Sequence, residues 1–133
     1  MPANFKPVFA LTPRMAVGRI TTATTDKTGA TTTNLITLYT ATTNGTKVSQ
    51  IGFKFVGTST AGTFLIFISE IDGTTLRLFD EILFSAVTSS TTALTARGFN
   101  FYSDLQLQSG QKIIVGATTA NTNIDSFCQI GDF

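Results

Sequence analysis

Short apolar runs separated by turn residues recur along the whole chain, with a period nearer two than 3.6. Met15 to Ile20 predicts an early strand after a brief Phe9-Ala10-Leu11 run. Residues 21–33 are polar, carry Asp26, Lys27 and Gly29, show no apolar period, and read as a surface loop or a strand pair with a mobile tip. Residues 34–40 alternate weakly, and Asn44-Gly45 then stands between two strand-like runs, which predicts a hairpin because both residues tolerate positive φ. Ile51, Phe53 and Phe55 alternate with Gly52 and Lys54. The step from Val48 to Ile51 breaks that alternation and predicts a bulge near Ser49-Gln50.

Phe64-Leu65-Ile66-Phe67-Ile68 is apolar at successive positions, so it predicts a central strand covered on both faces. Asp72-Gly73 supplies another hairpin turn. Leu76 and Leu78, and then Ile82-Leu83-Phe84, predict two further strands separated by Asp80-Glu81. After a Ser/Thr-rich turn at 88–92, Thr95, Arg97, Phe99 and Phe101 alternate against Ala96, Gly98, Asn100 and Tyr102. Leu105-x-Leu107, Ile113-Ile114-Val115 and residues 124–133 complete the series. The expected core is Phe53, Phe55, Phe64, Ile66, Ile68, Leu83, Phe99, Phe101, Ile114 and Val115.

The pattern is all-β: an antiparallel β-sandwich of jelly-roll or Greek-key type with eight to ten short strands. No linker or fixed repeat divides the 133 residues, which predicts one domain over 1–133, with 1–33 as an extended N-terminal arm plus the first strands. Threonine strengthens this reading. There are 26, and a β-branched hydroxyl side chain suits a pleated surface while keeping it wetted with few charges.

Charged residues are only 13% of the chain and the net charge is +1, so nucleic acid is not an expected partner. The longest apolar run, Phe64 to Ile68, is far short of the ~20 residues of a spanning helix, so no membrane is expected either. The N-terminal residues lack a signal-peptide pattern because Pro7 and Pro13 interrupt any apolar region. A soluble protein made in a cytoplasm is expected. Histidine is absent and Cys128 is the single cysteine, so Ser-His and Cys-His nucleophiles, Cys/His zinc sites and an internal disulfide are excluded. Cys128 is expected to be a small buried hydrophobe.

Two carboxylate pairs are candidate acid–base sites, Glu70 with Asp72 and Asp80 with Glu81. Neighbours on a strand point to opposite faces, so Asp80 and Glu81 share a face only across a bulge, while Asp72 belongs to a turn. Glu70-x-Asp72-Gly73 has too few oxygen ligands for a calcium loop. Asn44-Gly45-Thr46 fits a glycosylation acceptor, but turn chemistry accounts for it. Tyr39 and Tyr102 are the only tyrosines, a thin supply for stacking on sugars. No catalytic, cofactor-binding or metal residues are expected, and the chain is read as not an enzyme.

Several pieces together resemble small structural proteins of tailed bacteriophages and prophages, including crAss-like and related phages. They are the Asn44-Gly45 turn, the strand running to Phe55, the Gly57-Thr58-Ser59-Thr60-Ala61 turn and the apolar strand with Phe67-Ile68. Leu78-Phe79-Asp80-Glu81-Ile82-Leu83, Leu105-Gln106-Leu107-Gln108-Ser109-Gly110 and the Ile130-Gly131-Asp132-Phe133 ending follow in the same order. The short Asp72-Gly73 connection and terminal Phe133 depart from that pattern. The resemblance covers residues 34–133 and implies a virion protein made in the host cytoplasm: an auxiliary or decoration protein of the capsid. Its expected partners are the major capsid protein and its own copies, as a homotrimer. The alternatives are a head-fibre or tail-associated subunit, or a jelly-roll module that binds glycans through a loop aromatic such as Tyr102.

Overall fold

A computed structural model describes residues 12–120 and 123–133. The expected strand at Phe9-Ala10-Leu11 lies outside them. Eight strands form: β1 (Thr12–Ile20), β2 (Ile36–Thr40), β3 (Thr46–Phe55), β4 (Gly62–Ser69), β5 (Leu76–Phe84), β6 (Arg97–Leu107), β7 (Lys112–Ala117) and β8 (Ile124–Asp132). They make two four-stranded antiparallel sheets, ordered β1-β8-β3-β6 and β2-β7-β4-β5. The chain changes sheet at every connection except β4 to β5. This is jelly-roll connectivity, and the described residues contain no helix.

The inner faces meet in an aromatic core. Phe53 of one sheet stacks on Phe64 of the other with ring centroids 4.7 Å apart, and Phe84 lies 5.5 Å from Phe53 and 4.8 Å from Phe55. Such pairs add about 0.5–1.5 kcal/mol each beyond the area they bury. Ile20, Val48, Ile51, Ile66, Ile113, Val115 and Ile124 fill the remaining space and are fully buried. The bulge expected near Ser49-Gln50 is present, as a register shift between Val48 and Gln50 against both neighbouring strands.

β4 is covered on both sides, as its sequence requires, but by different means. Phe64 and Ile66 face the sandwich core. Leu65 and Phe67 point outward and form a second cluster with Leu76 and Ile114, against which Leu35 and Leu78 pack. The covering layer is the polar segment expected to be a surface loop. It leaves β1, bonds Thr24 N–H to the Ala117 carbonyl at 2.8 Å, and crosses to β5, where Lys27 meets Glu81 at 2.7 Å. It then returns through Leu35 to β2. Gly29, at φ +78°, lies against the Leu76 carbonyl, where a Cβ would approach to 2.8 Å. Residues 21–35 are therefore a strap, held by a few backbone and apolar contacts that leave no periodic trace.

Three other expectations are corrected. Asn44-Gly45 does make a tight turn, with Gly45 at φ +88°, but it joins β2 in one sheet to β3 in the other, so the strands do not pair as a hairpin. The runs around Leu78 and Ile82 are one strand, β5, bulged at Phe79: Phe67 pairs with Leu78 and Ile66 with Asp80. Leu105-x-Leu107 likewise continues β6. Asp72-Gly73 closes a true hairpin between β4 and β5, with Gly73 at φ +74°.

The core expectation holds for Phe53, Phe55, Phe64, Ile66 and Val115, and Ile114 is buried beneath the strap, while Ile68 is partly buried. Leu83, Phe99 and Phe101 are corrected: they are 81%, 38% and 78% exposed. On β6 the inward positions are Gly98, Asn100 and Tyr102. The Phe53 ring and Ile82 already occupy the space beneath Gly98, where a Cβ would come within 2.9 and 2.8 Å of them. Only the outward side of that strand has room for phenylalanine.

Candidate functional site

The four carboxylates weighed for chemistry are all engaged in the architecture. Glu70 pairs with Arg77 at 2.9 Å across the β4–β5 hairpin. Asp72 caps its own turn, accepting from the Thr74 and Thr75 amides at 2.9 Å and from the Thr75 hydroxyl at 2.6 Å. These hydrogen bonds, the Thr75 hydroxyl first, hold its carboxyl well below the usual range. An open depression of about 480 Å³ lies beside both residues, lined also by Ile71, Gln106, Gln108 and Gln111.

The bulge at Phe79 sends Asp80 inward and leaves Glu81 outward, so that pair does not converge. Asp80 accepts from Asn100 Nδ2 at 2.6 Å and from the Tyr102 hydroxyl at 2.7 Å, tying β5 to β6 across the gap between sheets. Burial opposes its ionisation, but bonds from Tyr102, the Glu81 amide and Asn100 outweigh that and lower its pKa. The same pairing, with burial as the larger cause, raises the Tyr102 phenol. The Tyr102 ring also packs 5.6 Å from Phe79. Its polar end is thus committed to Asp80. Among the described residues no three His, Cys, Asp or Glu side chains gather as a metal site.

Tyr39 is also an internal support. Its hydroxyl, Thr46 and Arg14 converge on the buried Asp132 carboxylate at the end of β8. Thr46 of the Asn44-Gly45-Thr46 triplet is itself fully buried. Cys128 is 1% exposed, as expected, and burial pushes its thiol up to about 11.

What remains open is a surface, the outer face of the β1-β8-β3-β6 sheet. Register places Val17, Phe127, Gly52 and Phe99 in one cross-strand row, and Met15, Gln129, Gln50 and Phe101 in the next. Phe99 lies directly over Gly52, where any Cβ would collide with its ring. Met15 and Val17 are more than half exposed. A third row runs Arg19, Asp125, Lys54, Arg97, with Asp125 held by Arg19 at 2.7 and 3.2 Å. This face is apolar in the middle and cationic along one end.

Sequence reasoning missed this face because it assigned the phenylalanines of β6 to the core. Nothing in β6 itself signals the reverse: phenylalanine alternating with Gly98 and Asn100 is the ordinary apolar-in, polar-out pattern, and only the space already filled by Phe53 and Ile82 turns it around. Comparison with protein-family models and with curated proteins finds no match to this chain.

Proposed function

We propose that this protein is a non-enzymatic structural component of a phage virion, an auxiliary or decoration protein seated on the capsid. The observation that carries the reading is the difference between its two outer faces. On one, the chain's own strap covers Leu65, Phe67, Leu76 and Ile114 and leaves Leu83 exposed at the β5 edge. The other leaves Met15, Val17 and Phe101 exposed beside Lys54 and Arg97. An uncovered apolar row bordered by cations suits a protein surface of apolar centre and acidic margin, and the major capsid protein is the partner that the sequence resemblance supplies. The polar groups weighed for catalysis are spent on holding strands together, which supports a rigid building block over an enzyme.

Quantitative mass spectrometry of purified virions tests this. A shell component appears in numbers comparable with the major capsid protein. A head-fibre or tail-associated subunit appears in far fewer copies, and absence from virions ends the proposal. Binding of purified protein to empty capsids should fall when Val17→Asp and Lys54→Glu are introduced together.

A further inference from the structure

We infer that β6 is a self-pairing edge through which two copies of this chain associate antiparallel about a two-fold axis near Asn100. Among the described residues β6 pairs only with β3, and β5 only with β4, so each leaves one edge of backbone N–H and C=O groups without a strand partner there. The bonds from Asn100 and Tyr102 to Asp80 bring these two edges onto one flank. On this flank β6 carries the exposed Phe99 and Phe101 on the outer face of its sheet, and β5 carries the exposed Phe79 and, on the outer face of the other sheet, Leu83. A long apolar edge of this kind is a template for another strand.

The charge order along β6 specifies a second copy as that strand. Arg97 begins the strand and stands opposite Lys54, a like-charge neighbour that costs stability. Asp104 lies towards the other end, where an irregular stretch between Phe101 and Leu105 leaves both Ser103 and Asp104 exposed. Among the described residues, none of Lys54, Arg97 and Asp104 has an ion-pair partner.

Antiparallel pairing of β6 with itself about Asn100 sets Phe99 opposite Phe101 of the second copy, twice over. It also sets Arg97 opposite Ser103 of the second copy at both ends, with the exposed Asp104 the next residue along and within reach of the long arginine side chain. Aromatic meets aromatic, cation meets anion, and outward side chains stay on one face. The contact is isologous, so it closes as a pair and not as the homotrimer that the resemblance implies. It holds independently of any role in a virion.

Sedimentation equilibrium of the full chain should give twice the 14.2 kDa chain mass at high micromolar concentration. Phe101→Asp, at an exposed position, should leave a folded monomer. Arg97→Asp and Asp104→Arg should each weaken association about tenfold, since two symmetry-related ion pairs are lost, and the double variant should recover it. Register is read by mixing Phe99→Cys with Phe101→Cys protein: a disulfide should form between the two variants and not within either alone, while buried Cys128 stays silent. A monomeric or trimeric wild type overturns the inference. So does a dimer that is indifferent to Phe101→Asp and to the charge exchange, or one that shows no mixed disulfide.

Discussion

The Tyr39 hydroxyl meets both carboxylate oxygens of Asp132, at 2.8 and 2.7 Å, and so joins β2 of one sheet to β8 of the other. Arg14 Nε at 2.7 Å and Thr46 Oγ1 at 2.9 Å donate to the same carboxylate from β1 and β3. One side chain thereby collects four strands at one end of the sandwich.

Asp132 should make stability acid-sensitive. Burial opposes its ionisation, but the bonds from Tyr39, Arg14 and Thr46 win and its folded pKa is lowered. Its contribution is complete above the unfolded carboxylate value of about 3.9 and disappears as pH falls through the folded value. Asp132→Asn should cost about 2 kcal/mol at neutral pH in urea melts. The gap between variant and wild type should narrow as pH falls below about 4.

Core and flank should respond oppositely to truncation. Phe64→Ala removes the ring stacked on Phe53 and should cost about 3–5 kcal/mol. Leu83→Ala, at an 81% exposed position, should change stability by less than about 0.5 kcal/mol. Denaturant midpoints of the two variants check the assignment of faces directly.

The strap should act through its apolar contacts more than its ion pair. Leu35→Ala uncovers part of the Leu65, Phe67, Leu76 and Ile114 cluster and should cost about 1–2 kcal/mol. It should also speed hydrogen exchange at the Thr24 amide, which is bonded to Ala117. Lys27→Ala breaks an exposed pair with Glu81 and should cost less than about 0.5 kcal/mol.

Cys128 should resist thiol reagents in the native protein. Its side chain is buried and its pKa stands at about 11, so little thiolate is present and access is closed. Labelling with an aromatic disulfide should be slow under native conditions and complete at once in denaturant.

Gly98→Ala should destabilise by about 1–3 kcal/mol, because the new methyl group enters space held by Phe53 and Ile82. The effect should appear in thermal melts without loss of the β-type circular dichroism spectrum.

The strands themselves were legible because alternation and turn residues act locally. The bulge at Ser49-Gln50 broke a period of two, the Asp72-Gly73 turn fixed a hairpin, and the doubly apolar β4 required cover on both faces. The placement of Cys128 followed from its position in the last strand. Alternation alone, however, leaves open which face of a strand turns inward. On β6 hydrophobicity favoured Phe99 and Phe101, yet packing against Phe53 and Ile82 left room only for Gly98 beneath them. Asn44-Gly45 specified a turn but not which sheet the chain entered next. The strap over β4 lacked any period because it is held by partners distant in sequence. Local backbone chemistry and side-chain alternation set where this chain forms strands and turns; the competition for volume between two sheets decided which side chains face inward and which face remains open.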